Sequence, residues 1–142
     1  YDDDVNQLRK MYGDYILVNT RFSRYNSVVG LKANNEHEKY IQLLFHHFLT
    51  MIKQMATHFP NKNIIIRPHP GENFHIYKQF FSSYNNVHII HEGNIIKWLI
   101  AASVIIHNGC TSSIEAFLMI RRPSSHLCRL FLKTLMSNSL IY

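Results

Sequence analysis

Short apolar runs alternate along this chain with longer stretches in which apolar residues recur every three or four positions. Tyr15 to Thr20 (YILVNT) is a β-branched run that predicts a strand, followed by a polar, glycine-containing connection from Arg21 to Asn34. Asn35, with Glu38 three positions later, forms an asparagine version of the capping box and marks a helix start. Ile41, Leu44, Phe45, Phe48, Ile52, Met55 and Phe59 then fall on one helical face until Pro60 ends it. Ile64 to Arg67 predicts a second strand closing on Pro68. Asn73 to Tyr84 predicts a shorter amphipathic helix through Phe74, Tyr77, Phe80 and Phe81. Val87 to Ile90 is the third strand, and Asn94 caps a helix carrying Ile95, Ile96, Trp98, Leu99 and Ile100. Val104 to Ile106 is the fourth strand, with a further helix from Thr111 to Met119.

Strands this short and apolar, separated by helices, need cover on both faces, which is the pattern of a Rossmann-like, doubly wound parallel sheet in an α/β domain. Strands one and four are expected to be neighbours, which sets Asn19 and Thr20 beside His107 and Asn108. The domain is expected to span residues 1–123. From Ser124 to Tyr142 the sequence (SSHLCRLFLKTLMSNSLIY) has no acid and no next-strand pattern, and reads as an aberrant, frameshifted or disordered tail.

Composition narrows the classes. A chain of 142 residues with 46% hydrophobic content suffices for one domain with a core. The two cysteines, Cys110 and Cys128, are too few for a disulfide scaffold and have no zinc spacing, so a reducing, cytoplasmic setting fits. Lys97 interrupts the best apolar run, so no transmembrane segment of about 20 residues is expected. Tyr1 to Asp4 is acidic, unlike a signal peptide, and the absence of an initial Met suggests an excised or incomplete product. The net charge is +6, but Arg121, Arg122, Arg129 and Lys133 in the acid-free end carry much of it. No stripe of cations interleaved with aromatics appears in the body, so a phosphate on a small ligand is a better partner than nucleic acid. Among the ten histidines, His46 and His47 are adjacent on a helix, and His88 and His91 are expected on opposite faces of a strand; no metal is expected.

Ligands of a doubly wound sheet bind beyond the carboxyl ends of its strands. Strand two ends in Arg67-Pro68-His69-Pro70-Gly71-Glu72 and strand four in His107-Asn108-Gly109-Cys110-Thr111-Ser112-Ser113, which sets His69 and His107 on one edge. Gly109 and the hydroxyls of Thr111, Ser112 and Ser113 outline a phosphate cradle, although such hydroxyls also simply cap helices. Glu115 can accept two ribose hydroxyls or serve as a helix-dipole partner. His69, held stiff between two prolines, can face a leaving phosphate as cation or neutral donor, or act as a loop cap.

RPHPGEN, followed by HEGNIIKWLIAASVIIHNGCTSSIEAFL, resembles a family of bacterial surface-carbohydrate (capsule and lipopolysaccharide) biosynthesis proteins with the two-lobed GT-B architecture. The resemblance runs from about Tyr12 to Pro123 and includes the LVNTRFS opening. Bacterial sialyltransferases and Kdo transferases are similar in having a His-Pro motif, an acidic-Gly motif and a Ser/Thr pair, here His69-Pro70, Glu92-Gly93 and Ser112-Ser113. The resemblance implies an incomplete C-terminal half of a GT-B fold, in a glycosyltransferase-like chain that takes a nucleotide-sugar donor as substrate and needs no separate cofactor. A CMP-sugar is one donor it allows. His69 and the hydroxyl cluster would then meet phosphate, Glu115 the ribose and the Glu92 loop the base. The acceptor would be a glycan or a lipid-linked sugar, with peripheral contact at the inner membrane compatible. A nucleotide-sugar epimerase and a non-catalytic nucleotide-sugar binding or partner module remain the alternatives, and the lobe alone is expected to be inactive.

Overall fold

The computed structural model describes residues 2–109 together with Arg129 and Leu130. Its elements in chain order are α1 (Asp2–Tyr12), β1 (Ile16–Thr20), β2 (Asn26–Ser27), β3 (Gly30–Leu31), α2 (Glu36–His58), β4 (Ile64–Pro68), α3 (Phe74–Phe80), β5 (Val87–Ile89), α4 (Ile95–Ala101), β6 (Val104–His107) and β7 (Arg129–Leu130). The main sheet runs β5-β4-β1-β6-β7 with every pairing parallel. β1 and β6 are neighbours as expected, with Asn19 opposite both His107 and Arg67.

Every residue of β1 and β4 is buried because the sheet is covered on both faces. Side chains alternate along a strand, so Ile16, Val18, Ile64 and Ile66 pack with Phe45, Phe48, Leu49 and Ile52 of α2 and Tyr77 of α3. Leu17, Ile65 and Ile105 take the opposite face, against Val5 and Leu8 of α1 and Trp98, Leu99 and Ala101 of α4. The result is an α/β/α sandwich.

The capped starts form as their sequences indicate. The side chains of Asn35 and Asn94 accept the backbone N–H groups of Glu38 and Ile96, and Asn73, not read as a cap from the sequence, accepts that of His75 in the same way. Glu38 completes its box one residue early, accepting from Asn34 N at 2.7 Å. Helix α1, the β2–β3 hairpin and β7 were not anticipated. The acidic Asp2 to Asp4 stretch is the first turn of α1, and Gly13, at φ +64°, takes the left-handed position that ends this helix. The connection after β1 contains the β2–β3 hairpin, which an isolated bridge from Ser27 to Glu72 ties to the loop after β4. α3 stops at Phe80, short of the expected Tyr84, with Phe81 at its C-cap. β7 gives the expected tail a two-residue strand beside β6, where the sequence pattern offered none. The remainder of residues 124–142 lies outside the described residues.

Candidate functional site

The chain lays down β1, β4 and β5 in one direction, then returns to place β6 on the other side of β1. The sheet therefore reverses its strand order between β1 and β6, and a crevice opens there at the carboxyl ends. Arg21 follows β1 and Gly109 follows β6. Both line an open groove of about 410 Å³ with Ser23, Arg24, His37 and Ile41. A second groove of about 540 Å³ shares Ser23, Arg24 and His37 and adds Lys32, Asn35 and Glu38. Three cations from the β1–α2 connection thus line the switch point against a single carboxylate, which favours an anionic ligand.

Register partners in a parallel sheet point to the same face, so Arg67, Asn19 and His107 form one row at this edge. All three are buried. Arg67 donates to Glu92 O and Gly93 O, both at 2.8 Å, and its guanidinium lies 5.3 Å over the Trp98 ring. Burial lowers its pKa from the ordinary value, which Tyr15 opposes. Arg67 therefore holds the Glu92-Gly93 loop through its fork of donors. Gly93, at φ +77°, and Glu92 are exposed on that loop. β5 is three strand spacings from β6, or about 14 Å, so the loop sits on the same edge well away from Gly109.

His107 Nδ1 accepts the Gly109 N–H at 3.1 Å, which assigns the ring proton to Nε2. That Nε2 is buried without a hydrogen-bond partner among the described residues, and burial lowers the His107 pKa, favouring the neutral ring. Asn108 is committed on both sides: its Oδ1 accepts Arg21 N at 2.8 Å and its Nδ2 donates to Arg21 O at 3.2 Å. It clamps the ends of β1 and β6 together. Gly109 has φ +90°, and a Cβ built there would meet nothing within 4 Å, so glycine is required by the backbone angle alone. Thr111, Ser112, Ser113 and Glu115 lie outside the described residues.

His69 is exposed, and its Nδ1 accepts the Gly71 N–H at 3.0 Å. The same His-x-Gly arrangement thus recurs after β4 and β6, and in each the ring presents Nε2–H as its remaining donor. Beneath His69 lies Glu72, 2% exposed, which sequence reasoning quoted in a motif without a role. Glu72 Oε1 accepts from Thr20 Oγ1 and from His69 N, both at 3.0 Å, and Oε2 accepts from the Tyr77 hydroxyl at 2.5 Å. The Thr20 hydroxyl therefore serves this buried network. Burial pushes the Glu72 carboxyl above its usual range, against hydrogen bonds from Tyr77, His69, Phe22 and Thr20. Burial and the Glu72 charge likewise raise Tyr77 well above the usual phenol value.

His88 and His91 do not share a strand as expected, because β5 ends at Ile89. His88 bonds Asn63 Oδ1 and His91 stacks on Phe74. Among the described residues no three His, Cys, Asp or Glu side chains gather at metal-ligand range, and no helix there is long and apolar enough to cross a membrane.

Sequence reasoning missed Arg21, Arg24 and His37. The available signal was two arginines three apart directly after a strand, next to a capped helix start. No family model, no curated protein and no solved structure matches this chain.

Proposed function

We propose that this chain belongs to the nucleotide-binding lobe of a GT-B, glycosyltransferase-like protein of surface-carbohydrate biosynthesis and binds a nucleotide-activated sugar. The observation that carries the reading is the cationic groove at the topological switch point, where Arg21, Arg24 and His37 face Gly109. A groove of this size suits a nucleotide-sized ligand, and its charge suits phosphate.

In this reading Arg21 and Arg24 neutralise the donor phosphate, with Thr111, Ser112 and Ser113 beyond Gly109 completing the cradle and Glu115 holding the ribose. The buried His107 Nε2–H is a donor that a ligand oxygen would satisfy. The Glu92-Gly93 loop, fixed by Arg67, meets the base. His69 offers Nε2–H as its donor, because its Nδ1 accepts the Gly71 N–H. As the bond between sugar and phosphate oxygen breaks, negative charge grows on that oxygen, and a donor positioned there lowers the barrier. The acceptor, a glycan or lipid-linked sugar, would be supplied with the other lobe, in the cytoplasm at the inner face of the membrane.

Calorimetric titration of the full chain with CMP, UDP and GDP tests the reading. One of these should bind, and Arg21→Ala with Arg24→Ala together should weaken it by about tenfold or more, the loss of a charge-assisted contact. Binding that is absent for all three, or indifferent to both arginines, would remove the groove from the site.

A further inference from the structure

We infer that Glu72, together with Thr20 and Tyr77, is the positioning element of the candidate site, holding His69 in place from below. The inference rests on the reading of His69 as the phosphate-facing donor, and it adds residues to which that reading gave no role.

The geometry is specific. Glu72 is almost fully buried, and it is bonded only by donors, the Phe22 backbone among them. Thr20 comes from the end of β1, Tyr77 from α3, and the His69 N–H from the loop itself. The His69 N–H is shared between Glu72 Oε1 and Thr20 O, both at 3.0 Å, so the loop is pinned to β1 at its first residue after β4. The turn then closes on itself: Glu72 N donates to His69 O at 2.8 Å and Gly71 N to His69 Nδ1. The hairpin braces the far side, since Val28 N donates to Gly71 O and Asn26 exchanges backbone and side-chain bonds with Asn73. A Cβ on Gly71 would come to 3.3 Å from both His69 Nδ1 and the Ser23 Cβ, which leaves the imidazole little room to shift towards the turn.

An acceptor-only set of contacts matches a carboxylate, and an apolar residue at position 72 would leave the Thr20 and Tyr77 hydroxyls and the His69 N–H without it. The other titratable groups around it are Tyr77 from α3 and His69 in its own loop; β1 and the hairpin supply only the neutral Thr20, Asn26 and Ser27. No ion pair reaches Glu72 among the described residues. Its protonation is therefore governed by burial against these hydrogen bonds, and titration of the carboxyl should be felt at the His69 amide.

The test is NMR of the full chain without ligand, with a pyrophosphate titration alongside. In the native sequence the His69 amide proton should shift with the same midpoint as the Glu72 side-chain carbonyl carbon, above the usual glutamate range. In mildly alkaline solution its ring should hold a single Nε2–H tautomer. Glu72→Ala should speed exchange of the His69 amide by about tenfold or more and average the ring tautomers, while the amides of Leu17 and Ile105 keep their protection. Tyr77→Phe, which keeps the core ring and removes one donor to the carboxylate, should move the shared midpoint to higher pH. An unaltered His69 amide and ring in Glu72→Ala overturns the inference. Should that variant not fold, an unmoved midpoint in Tyr77→Phe overturns it equally. If His69 responds as expected but native chain and variants all ignore pyrophosphate, Glu72 keeps its positioning role and the phosphate reading of His69 fails instead.

Discussion

Arg67 and Glu72 sit two and three residues from His69, which the sequence makes conspicuous, yet their roles come from contacts across the fold. Arg67 bonds residues 25 and 26 positions away, and Glu72 bonds Thr20 across 52. His69 and His107 were legible because strand ends place residues on an edge without knowledge of the packing. The buried network was not, since a Glu after a Gly in a turn reads as solvent-exposed until the loop is folded over it. Arg67→Lys should lose one of its two carbonyl bonds and cost about 1.5–3 kcal/mol, seen in urea unfolding together with faster amide exchange at Gly93 and Asn94. Exchange at Gly93 that stays unchanged would contradict a clamping role.

The sign of the Glu72 shift gives a second residue-level expectation. A folded pKa above the unfolded 4.5 means the fold holds this proton more tightly than the open chain does. That contribution is fully present below the ordinary carboxylate range and is lost as pH rises through the raised value. His88 and His107 act oppositely: burial lowers both, so their contribution is present above 6.5 and lost as pH falls through the lowered values. Glu72→Gln removes only the first effect. Unfolding free energies measured across a pH series should show native minus variant declining from about pH 4 upward and levelling above the raised value. A difference that is flat throughout contradicts the shift.

At the scale of elements, β1, β4, β5 and β6 and the helices α2, α3 and α4 were read correctly in kind because their apolar periods are clear, and at Asn35 and Asn94 the capping chemistry agrees with them. Asn35→Ala should cost about 1 kcal/mol in denaturant unfolding, through loss of the bond to Glu38 N. No loss of stability would mean that the 23 residues of α2 hold their start by packing alone. α1 escaped notice because its apolar face is narrow, resting on Val5 and Leu8, and its acidic start was judged only as a missing signal peptide. The hairpin escaped for a different reason. Two residues per strand give no alternation to read, and Val28 and Val29 at its tip, 65% and 80% exposed, are not the residues that announce a turn.

For the whole molecule, the alternation of elements was enough to give a parallel, doubly covered sheet with β1 beside β6, and with it the edge where a ligand belongs. It did not give the groove, because the cations lining it come from a connection whose path depends on the hairpin and on α2. The central claim is that the switch point between β1 and β6 binds the phosphate of a nucleotide. Backbone amide shifts of the full chain, followed while CMP, UDP and GDP are added in turn, test it most directly. The expected result is that one nucleotide shifts Arg21, Ser23, His37, His107 and Gly109 in a saturable way and leaves Val5 and Leu8 of α1 unmoved. Shifts that gather on α1 or scatter over the surface, or none with any of the three, would contradict it.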